Sequence, residues 1–340
     1  MVSRRTVLRG VALSALAATI TPARAAAPLR IRAGWVLVPT DLLPILPEAP
    51  QLTRHMGKSY VLELQHFNGT TPMITALAAG VIDVAALAFG SLPFAIENAK
   101  LGDLRVIADM FQDGAPGYHT NPYLVLKDSP IRRVEDLKGK VLATSVLGSA
   151  SDLGMRAMLR KHGINDHTDV QIVEAPFPAM KAVLHEKRAV LVPGVLPYSR
   201  DPELLAISRP LFTQAEAMGP TQQLFRAART GFLARHRAEM IDLLEDILRV
   251  QRFYSDPANH EEAVQMIARM TKQPAASLEA WLFTKDDYYR SPEGLPNFAA
   301  LQANIETMRQ VGIIPRSIDA AKYADLDLIK AAAKRVAKSG

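Results

Sequence analysis

From Leu29 onward, short β-type runs alternate with helical stretches along most of the chain. The first run covers Leu29 to Trp35. A second, Val61 to Phe67, follows the same alternation and ends at the turn dipeptide Asn68-Gly69. This order is typical of βαβ units, which build a mostly parallel sheet with helices on both faces. The chain is therefore predicted to be an α/β protein.

Two early helices have clear start signals. Thr71 is expected to cap the first, with Pro72 at its first position and Gly80 at its end. Ser91 is expected to cap the second. Each helix follows a β-type run, so the strand-turn-helix unit occurs twice before residue 100.

The length of the chain predicts two lobes, because a single hydrophobic core rarely grows beyond about 250–300 residues and this chain has 340. A new strand, Pro122 to Leu126, follows the breaker Gly114 to Gly117. After the strand Gln223 to Arg229 the pattern is almost entirely helical, and we expect this tail to pack on the first lobe. The predicted first lobe comprises 28–117 and 223–340, and the second comprises 118–222.

The N-terminus resembles an export signal. Ser3-Arg4-Arg5 precedes the small, mostly apolar run Val11 to Ile20, and Ala23-Arg24-Ala25 offers a cleavage site. The run is too short for a membrane-spanning helix, which needs about 20 residues. Residues 1–25 are therefore predicted to be a twin-arginine signal peptide, and the Tat export machinery is the expected partner.

Charge and cysteine content exclude several functions. Removing residues 1–25 removes four arginines and no acid, so the formal net charge falls from +6 to +2. A nearly neutral protein has no basic surface for nucleic acid. Cysteine is absent, which excludes disulfides, thiolate metal sites and a lipidated cysteine. We expect a freely diffusing periplasmic monomer.

Three turns place small or hydroxyl residues where a strand leads into a helix: Gly69-Thr70-Thr71, Gly90-Ser91 and Gly148-Ser149-Ala150-Ser151. Helix N-termini present unpaired N–H groups and the positive end of the helix dipole, both of which favour anions. Ligands of open α/β sheets bind at this edge. The alternative is that Thr71, Ser91 and Ser151 are ordinary helix caps.

The same residues carry a family resemblance. The segment from Gly69 to Val84 resembles the loop, helix and strand entry of the nitrate/sulfonate/taurine type of ABC-importer binding proteins. Lys127 to Ile131, Asp136 to Lys140, Gly148-Ser149 and Val311 to Pro315 are also similar to that family. The resemblance extends over most of the chain after the signal.

This resemblance implies a type II periplasmic-binding fold, with two α/β lobes, two hinge strands and a ligand in the cleft. An ABC transporter permease is the implied partner, and no cofactor is implied. Hinge candidates lie near Tyr118 to Tyr123 and Gln222 to Arg226. The expected ligand-binding residues are Trp35, Val38, Thr40, Gly69, Thr70, Thr71, Gly90, Ser91, His119, Ser149, Ala150, Ser151, Pro193, Gly194 and Tyr198.

The chain departs from the family at Lys187 to Val190, where relatives carry Gly-x-hydrophobic-Asp. Ligand identity is therefore not transferred. We expect a small organic anion, such as a sulfonate, a carboxylate or an aromatic acid, or a heterocycle stacked on Trp35 or Tyr198. Arg200 and Arg226 are candidates for neutralising a carboxylate.

Two other functions use the same fold. One is a pyrimidine-precursor synthase of thiamine biosynthesis, but known members carry a cysteine-rich motif that this chain lacks. The other is a ligand sensor that reports to a membrane receptor. The eight histidines show no metalloprotease spacing, and no nucleophile or phosphate-binding motif occurs. No catalytic residue, metal or cofactor is therefore expected.

Overall fold

The computed structural model describes residues 27–338. The predicted signal peptide, residues 1–25, lies outside the described residues. The strands in this part of the chain are β1 (Leu29–Trp35), β2 (Tyr60–His66), β3 (Val84–Ala88), β4 (Leu104–Asp113), β5 (Pro122–Leu126), β6 (Val141–Thr144), β7 (Gln171–Glu174), β8 (Val192–Pro193), β9 (Ser208–Thr213) and β10 (Thr221–Arg229).

The α-helices are α1 (Thr71–Ala78), α2 (Ser91–Glu97), α3 (Ala150–Lys161), α4 (Met180–His185), α5 (Pro202–Ile207), α6 (Gln214–Met218), α7 (Thr230–Arg235), α8 (Arg237–Ser255), α9 (His260–Thr271), α10 (Phe298–Gln310) and α11 (Asp327–Lys338). Short 3-10 helices cover Leu43–Glu48, Val134–Leu137, Phe177–Ala179, Tyr198–Arg200, Pro257–Asn259, Ala275–Ser277 and Ala320–Tyr323.

The first sheet has the strand order β2-β1-β3-β10-β4. Strands β2 and β3 both run parallel to β1, whereas β10 is antiparallel to its neighbours β3 and β4. Strand β3 is completely buried and contains only Val, Ala and Leu, as expected for a central strand covered on both faces. The late strand β10 thus completes a sheet begun by the first part of the chain.

The second group of strands lies between residues 122 and 213. Strand β5 pairs antiparallel with β8 and β9, and β6 pairs parallel with β7. The Ala143 N–H donates to the Leu191 carbonyl at 2.9 Å, and the Val190 N–H donates to the Val141 carbonyl at 2.8 Å. These bonds join the three-stranded sheet β8-β5-β9 and the pair β6-β7 into one continuous layer. The chain passes between the two groups at 114–121 and 214–220.

The C-terminal helices pack mainly on the first sheet. Helix α8 contacts β2, the 3-10 helix Leu43–Glu48 and α11, and α11 also contacts β4. Helix α10 packs on β10 and also reaches α3 of the second group. Within residues 27–338, no helix has both the length and the apolar composition needed to span a bilayer.

The α/β fold class and most strand positions agree with the sequence prediction, but the caps of α1, α2 and α3 (Ser149 instead of Ser151) and the strands β4 and β9 differ. Thr70 and Gly90, not Thr71 and Ser91, occupy the cap positions, and neither makes a side-chain cap hydrogen bond. The ten-residue strand β4 was not predicted, because its Asp and Gln side chains interrupt the apolar pattern although the structure buries them. The exact lobe boundaries and the hinges stay predictions.

Candidate functional site

A small cavity of about 60 Å³ lies between the two groups of strands. We call it the cleft cavity. Its lining residues are Val36, Leu37, Thr40, Gly69, Thr70, Phe111, Asn121, Ser145, Ser149, Ala150, Ser151, Phe177, Val195, Leu196, Gln223, Leu224 and Tyr288. Both sheets and the C-terminal tail therefore contribute to one site.

Three buried serine hydroxyls form one wall. Ser145 follows β6 directly, and Ser149 and Ser151 lie at the start of α3. Their oxygens are 3.2–3.4 Å apart in a triangle. A hydroxyl can donate one hydrogen bond and rotates freely to do so. The triangle can therefore turn its donors toward a ligand, beside the positive end of the α3 dipole.

The opposite wall carries the N-terminus of α1. Gly69 and the cap residue Thr70 line the cavity, and the Thr70 Oγ1 atom is buried without a hydrogen-bond partner among residues 27–338. Thr40 also lines the cavity, but its hydroxyl donates to the Leu37 carbonyl at 3.0 Å. Two helix N-termini, one from each group of strands, thus contribute to the same cavity.

Amide and phenol groups supply further polarity. The Tyr288 hydroxyl donates to Asn121 Oδ1 at 2.5 Å and accepts from the Leu196 N–H at 3.2 Å. Burial and, secondly, the nearby Asp113 carboxylate raise the pKa of Tyr288 well above its usual value, so this phenol stays neutral. Gln223 Oε1 is buried and has no partner within the described part of the chain.

The apolar wall is formed by aromatic and aliphatic side chains. The rings of Phe111 and Tyr288 lie 4.3 Å apart between centroids, at 34°. Phe177 and the aliphatic side chains named above complete this surface. Aromatic contact is therefore available to a ligand here, but from residues other than Trp35 and Tyr198.

None of the described residues lining the cleft cavity carries a formal charge. The two arginines predicted to neutralise a ligand are engaged elsewhere. Arg226 is buried and binds both carboxylate oxygens of Asp41, at 3.1 Å from Nη1 to Oδ2. Arg200 contacts Asp286. The positive potential at this site therefore comes from helix dipoles and hydroxyl donors.

The structure brings six of the expected ligand-binding residues together in the cavity wall. They are Thr40, Gly69, Thr70, Ser149, Ala150 and Ser151. The expected residues that do not line it are Trp35, Val38, Thr71, Gly90, Ser91, His119, Pro193, Gly194 and Tyr198. Whether the six bind a ligand stays a prediction.

Two of the other expected residues, Gly90 and Thr71, lie in a seam between the two groups of strands. A Cβ atom on Gly90 would lie 2.0 Å from Leu153 Cδ1, so the close approach of α3 leaves no room for a side chain there unless Leu153 moves. The Thr71 hydroxyl donates to the Leu147 carbonyl at 3.1 Å. Ser91 Oγ accepts from the Ala88 N–H at 3.2 Å. The contacts of Gly90 and Thr71 pack the two groups of strands together beside the cavity, whereas the Ser91 bond lies within the first group.

Aromatic candidates lie outside the cavity. The Trp35 ring packs against His66, with centroids 4.7 Å apart. Tyr198 lines a separate surface groove with Lys181 and Arg200. His119 packs edge-on against Tyr288, with centroids 5.2 Å apart. Burial and, secondly, the Arg200 charge lower the pKa of His119 to about 4, so it is neutral behind the Tyr288 wall.

Pro193 and Gly194 belong to the second sheet, where Gly194 N–H donates to the Pro122 carbonyl at 2.7 Å. Val38 packs against the core of the protein.

Among the lining residues that the sequence did not single out, Ser145 had a usable signal, because it ends a β-type run just before a glycine-serine turn. Tyr288 had none, since it lies in an irregular loop between the helices of the tail.

Solved structures share this fold. The periplasmic aliphatic sulphonate binding protein SsuA of Escherichia coli is 20% identical, with a TM-score of 0.65, over 89% of this chain and 99% of that one. The alkanesulfonate-binding protein SsuA of Xanthomonas axonopodis pv. citri, bound to MOPS, is 18% identical, with a TM-score of 0.70, over 89% and 100%. The chain thus has the two-lobed periplasmic-binding-protein fold, as predicted.

Residues 34–268 match the sequence model of the NMT1-like family, and the chain belongs to this family. The predicted resemblance is thereby confirmed for family and fold. No curated protein matches the sequence significantly. The fold also occurs in the desulfurization enzyme DSZB, at 12% identity and a TM-score of 0.59 over 90% of this chain and 99% of that one. The fold therefore does not separate binding proteins from enzymes.

Proposed function

We propose that this protein is a periplasmic solute-binding protein of an ABC importer. It captures a small organic anion, such as a sulfonate, a carboxylate or an aromatic acid, or a heterocycle, in the cleft cavity and delivers it to the membrane permease. It reaches the periplasm through the twin-arginine route and acts there as a monomer without a lipid anchor.

One observation carries this proposal. The cleft cavity combines the N-termini of α1 and α3, a triangle of serine hydroxyls and an apolar aromatic wall, without a charged side chain among its described lining residues. Helix N-termini and neutral donors suit the anionic head of a ligand. The apolar wall suits an organic body.

Magnitudes favour an organic anion over a bare inorganic ion. A helix N-terminus contributes about 0.3–1 kcal/mol, or up to about 2 kcal/mol when partly buried. Micromolar affinity requires about 8 kcal/mol. Direct hydrogen bonds and apolar burial, the latter at about 25 cal/mol per Å², must together supply the difference. Phe111, Phe177 and Tyr288 provide the surface for that burial.

The structural relatives support the same class of ligand. The E. coli protein is named for aliphatic sulphonates and the Xanthomonas protein for alkanesulfonates. The latter structure holds MOPS, a sulfonate attached to a heterocyclic body. A ligand with an acidic head and a larger organic body also fits the polar and apolar walls of the cleft cavity.

An enzymatic role is less well supported by the lining residues. Within the described wall there is no His, Lys, Asp or Glu that could activate a serine hydroxyl. The nearby His119 packs behind Tyr288 and does not line the cavity. The chain also lacks the cysteine-rich motif of the thiamine-precursor synthases. Binding without turnover is the function that this wall favours.

The test is a ligand screen on the protein without its first 25 residues. In a thermal-shift screen against sulfonates, carboxylates, aromatic acids and heterocycles, one class should selectively raise the unfolding midpoint. The expected stabilisation is about 2.7 kcal/mol at a hundredfold excess over Kd. Calorimetry then measures Kd, and chromatography checks that the ligand is recovered unchanged. Absence of any selective shift, or consumption of the ligand, would contradict the proposal.

A matched pair of variants tells an anion from a heterocycle. Gln223 Oε1 is a buried acceptor without a protein partner in residues 27–338, so Gln223→Leu should not destabilise the fold. It should weaken a heterocycle that donates an N–H to Oε1 more than a sulfonate, which has no donor and can contact this side chain only through the Nε2 hydrogens. Gln171→Leu, at an exposed position on β7, is the control.

A further inference from the structure

A second cavity lies beside the cleft cavity and has a different chemistry. It is a groove of about 510 Å³, formed by the end of α8, the loop 283–292 and Tyr118. We call it the basic groove, because Arg252, Lys285 and Arg290 line it. Asp256 is the one carboxylate among its described lining residues.

Arg290 is the unusual member of this groove. Its side chain is 4% exposed. Nη1 donates to Asp287 Oδ2 at 2.9 Å and to the Tyr288 carbonyl at 3.3 Å. The guanidinium carbon lies 5.1 Å from the centre of the Phe283 ring. Nε and Nη2 have no hydrogen-bond partner within residues 27–338, although both atoms are buried.

The Asp287 carboxylate accepts two further hydrogen bonds besides the one from Arg290. Its Oδ1 accepts from the Tyr288 N–H at 2.7 Å, and its Oδ2 accepts from the Phe283 N–H at 3.0 Å in addition to Arg290. The carboxylate holds one edge of the guanidinium and leaves the other edge, Nε and Nη2, without an acceptor. That edge is a fork that fits two oxygens of a carboxylate or phosphate side by side.

The surroundings of Arg290 favour an anion as well. Arg252 is half-buried and donates to the Pro292 carbonyl at 3.4 Å, and Lys285 is exposed. Asp256 is exposed, and its Oδ1 accepts from the Ala258 N–H at 2.9 Å in a helix cap. With the Asp287 carboxylate that pairs with Arg290 included, three cations face two carboxylates, so the groove keeps a positive balance.

We propose that the basic groove binds a small oxyanion, a carboxylate or a phosphate, through the Nε and Nη2 donors of Arg290. Lys285 and Arg252 add positive charge at the groove. This site is separate from the cleft cavity and from the transported ligand, although Tyr288 lines both.

The test uses sodium phosphate and sodium acetate as probes, each compared with sodium chloride at the same ionic strength. Wild-type protein should show a thermal shift and a calorimetric Kd with at least one of the two oxyanions, and the stronger one identifies the ligand chemistry. Arg290→Lys should weaken that binding about tenfold or more, because an ammonium cannot form the two-pronged contact.

Exposed cations give a second, independent readout. Lys285→Ala should weaken oxyanion binding about threefold, as for an exposed ion pair. Lys334→Ala, at an exposed position on α11 away from the groove lining, should leave it unchanged. If Arg290→Lys fails to fold, the double variant Lys285→Ala/Arg252→Gln decides in its place.

Two results would overturn the proposal. One is a wild-type response to phosphate and acetate no larger than that to chloride. The other is wild-type affinity in the folded Arg290→Lys protein or, where that variant does not fold, in the double variant. Neither result depends on the identity of the ligand in the cleft cavity, so the proposed transport function can stand or fail separately.

Discussion

The cleft cavity and the basic groove share Tyr288 as a wall, yet they offer an anion opposite chemistry. The cleft cavity has hydroxyls and helix N-termini and no charged lining residue within the described chain. The basic groove has three cationic side chains. Neutral, preorganised donors avoid the cost of burying an uncompensated ion, whereas a buried guanidinium needs a counter-charge.

Two buried arginines show the same contrast. Arg226 is buried, both of its terminal nitrogens bind Asp41, and its Nε has no partner among the described residues. Arg290 lines the basic groove, and only Nη1 has a carboxylate partner. Each guanidinium faces one carboxylate, but only Arg290 keeps an edge, Nε and Nη2, with two donors that have no partner among the described residues and are available to a ligand. The predictions below test this distinction.

The largest effect is expected from breaking the internal pair. Asp41→Ala leaves Arg226 buried without its carboxylate and should lower the free energy of unfolding by about 3–5 kcal/mol. Glu63→Ala, which breaks the exposed pair with Arg30, should cost about 1 kcal/mol or less. Urea denaturation measures both. Equal losses would show that Arg226 is not held structurally by Asp41.

A charge placed in the cleft cavity should come next. Ser149→Asp puts a carboxylate among the serine hydroxyls and should weaken an anionic ligand about hundredfold or more. Aspartate is a good helix cap, so α3 should persist. Calorimetry measures Kd. Thr71→Asp is the control, and should cost about threefold or less because Thr71 does not line the cavity. Unchanged affinity in Ser149→Asp would refute the anion assignment.

The shared wall itself should respond to pH. Asp113 accepts from the Asn121 N–H at 2.9 Å, and Asn121 in turn holds Tyr288. Burial raises the pKa of Asp113 to about 7. Between pH 4 and 7 the folded protein keeps a proton that the unfolded chain has lost, so stability falls as pH rises and levels off above pH 7.

The change in this slope can be measured by denaturation at several pH values. Asp113→Asn should remove up to about 1.4 kcal/mol of stability change per pH unit between pH 5 and 7. Asp128→Asn, at an exposed position, is the control and should follow the wild-type profile. A variant profile parallel to that of wild type would place the titration elsewhere.

Salt should produce the smallest difference between the two sites. Raising sodium chloride from about 50 to 200 mM shortens the screening length. We expect about a threefold loss of oxyanion affinity at the exposed basic groove and less than about half that factor in the cleft cavity. Calorimetry at both salt concentrations provides the comparison. Equal losses would remove the distinction between charged and neutral recognition.

The sequence predicted the helix N-termini to within one or two residues, because the signals that set them are local. Ser149 and Gly69 stand at strand-turn-helix junctions, and both line the cleft cavity. The same signal at Gly90 led to a residue that packs against Leu153 instead. The three turns look alike in sequence, and only the approach of α3 to α2 decides which of them remains open to a ligand.

Other features have no local signal at all. Tyr288 belongs to an irregular loop far along the chain, and its place in the wall depends on contacts with Asn121 and Leu196. Strand β4 was missed because Asp109 and Asp113 are normally surface residues, whereas here hydrogen bonds satisfy both in the interior. Such compensation requires partners that are distant in sequence.

The cleft cavity joins residues from Val36 to Tyr288, and this long span has a consequence for how the protein folds. Contacts between distant parts of a chain form slowly, because the entropy of a large loop must be lost before they can contribute. During refolding from denaturant we expect the sheets to recover their circular dichroism first and ligand affinity to return afterwards. Tyr288, the last lining residue in the chain, would set the time at which binding begins.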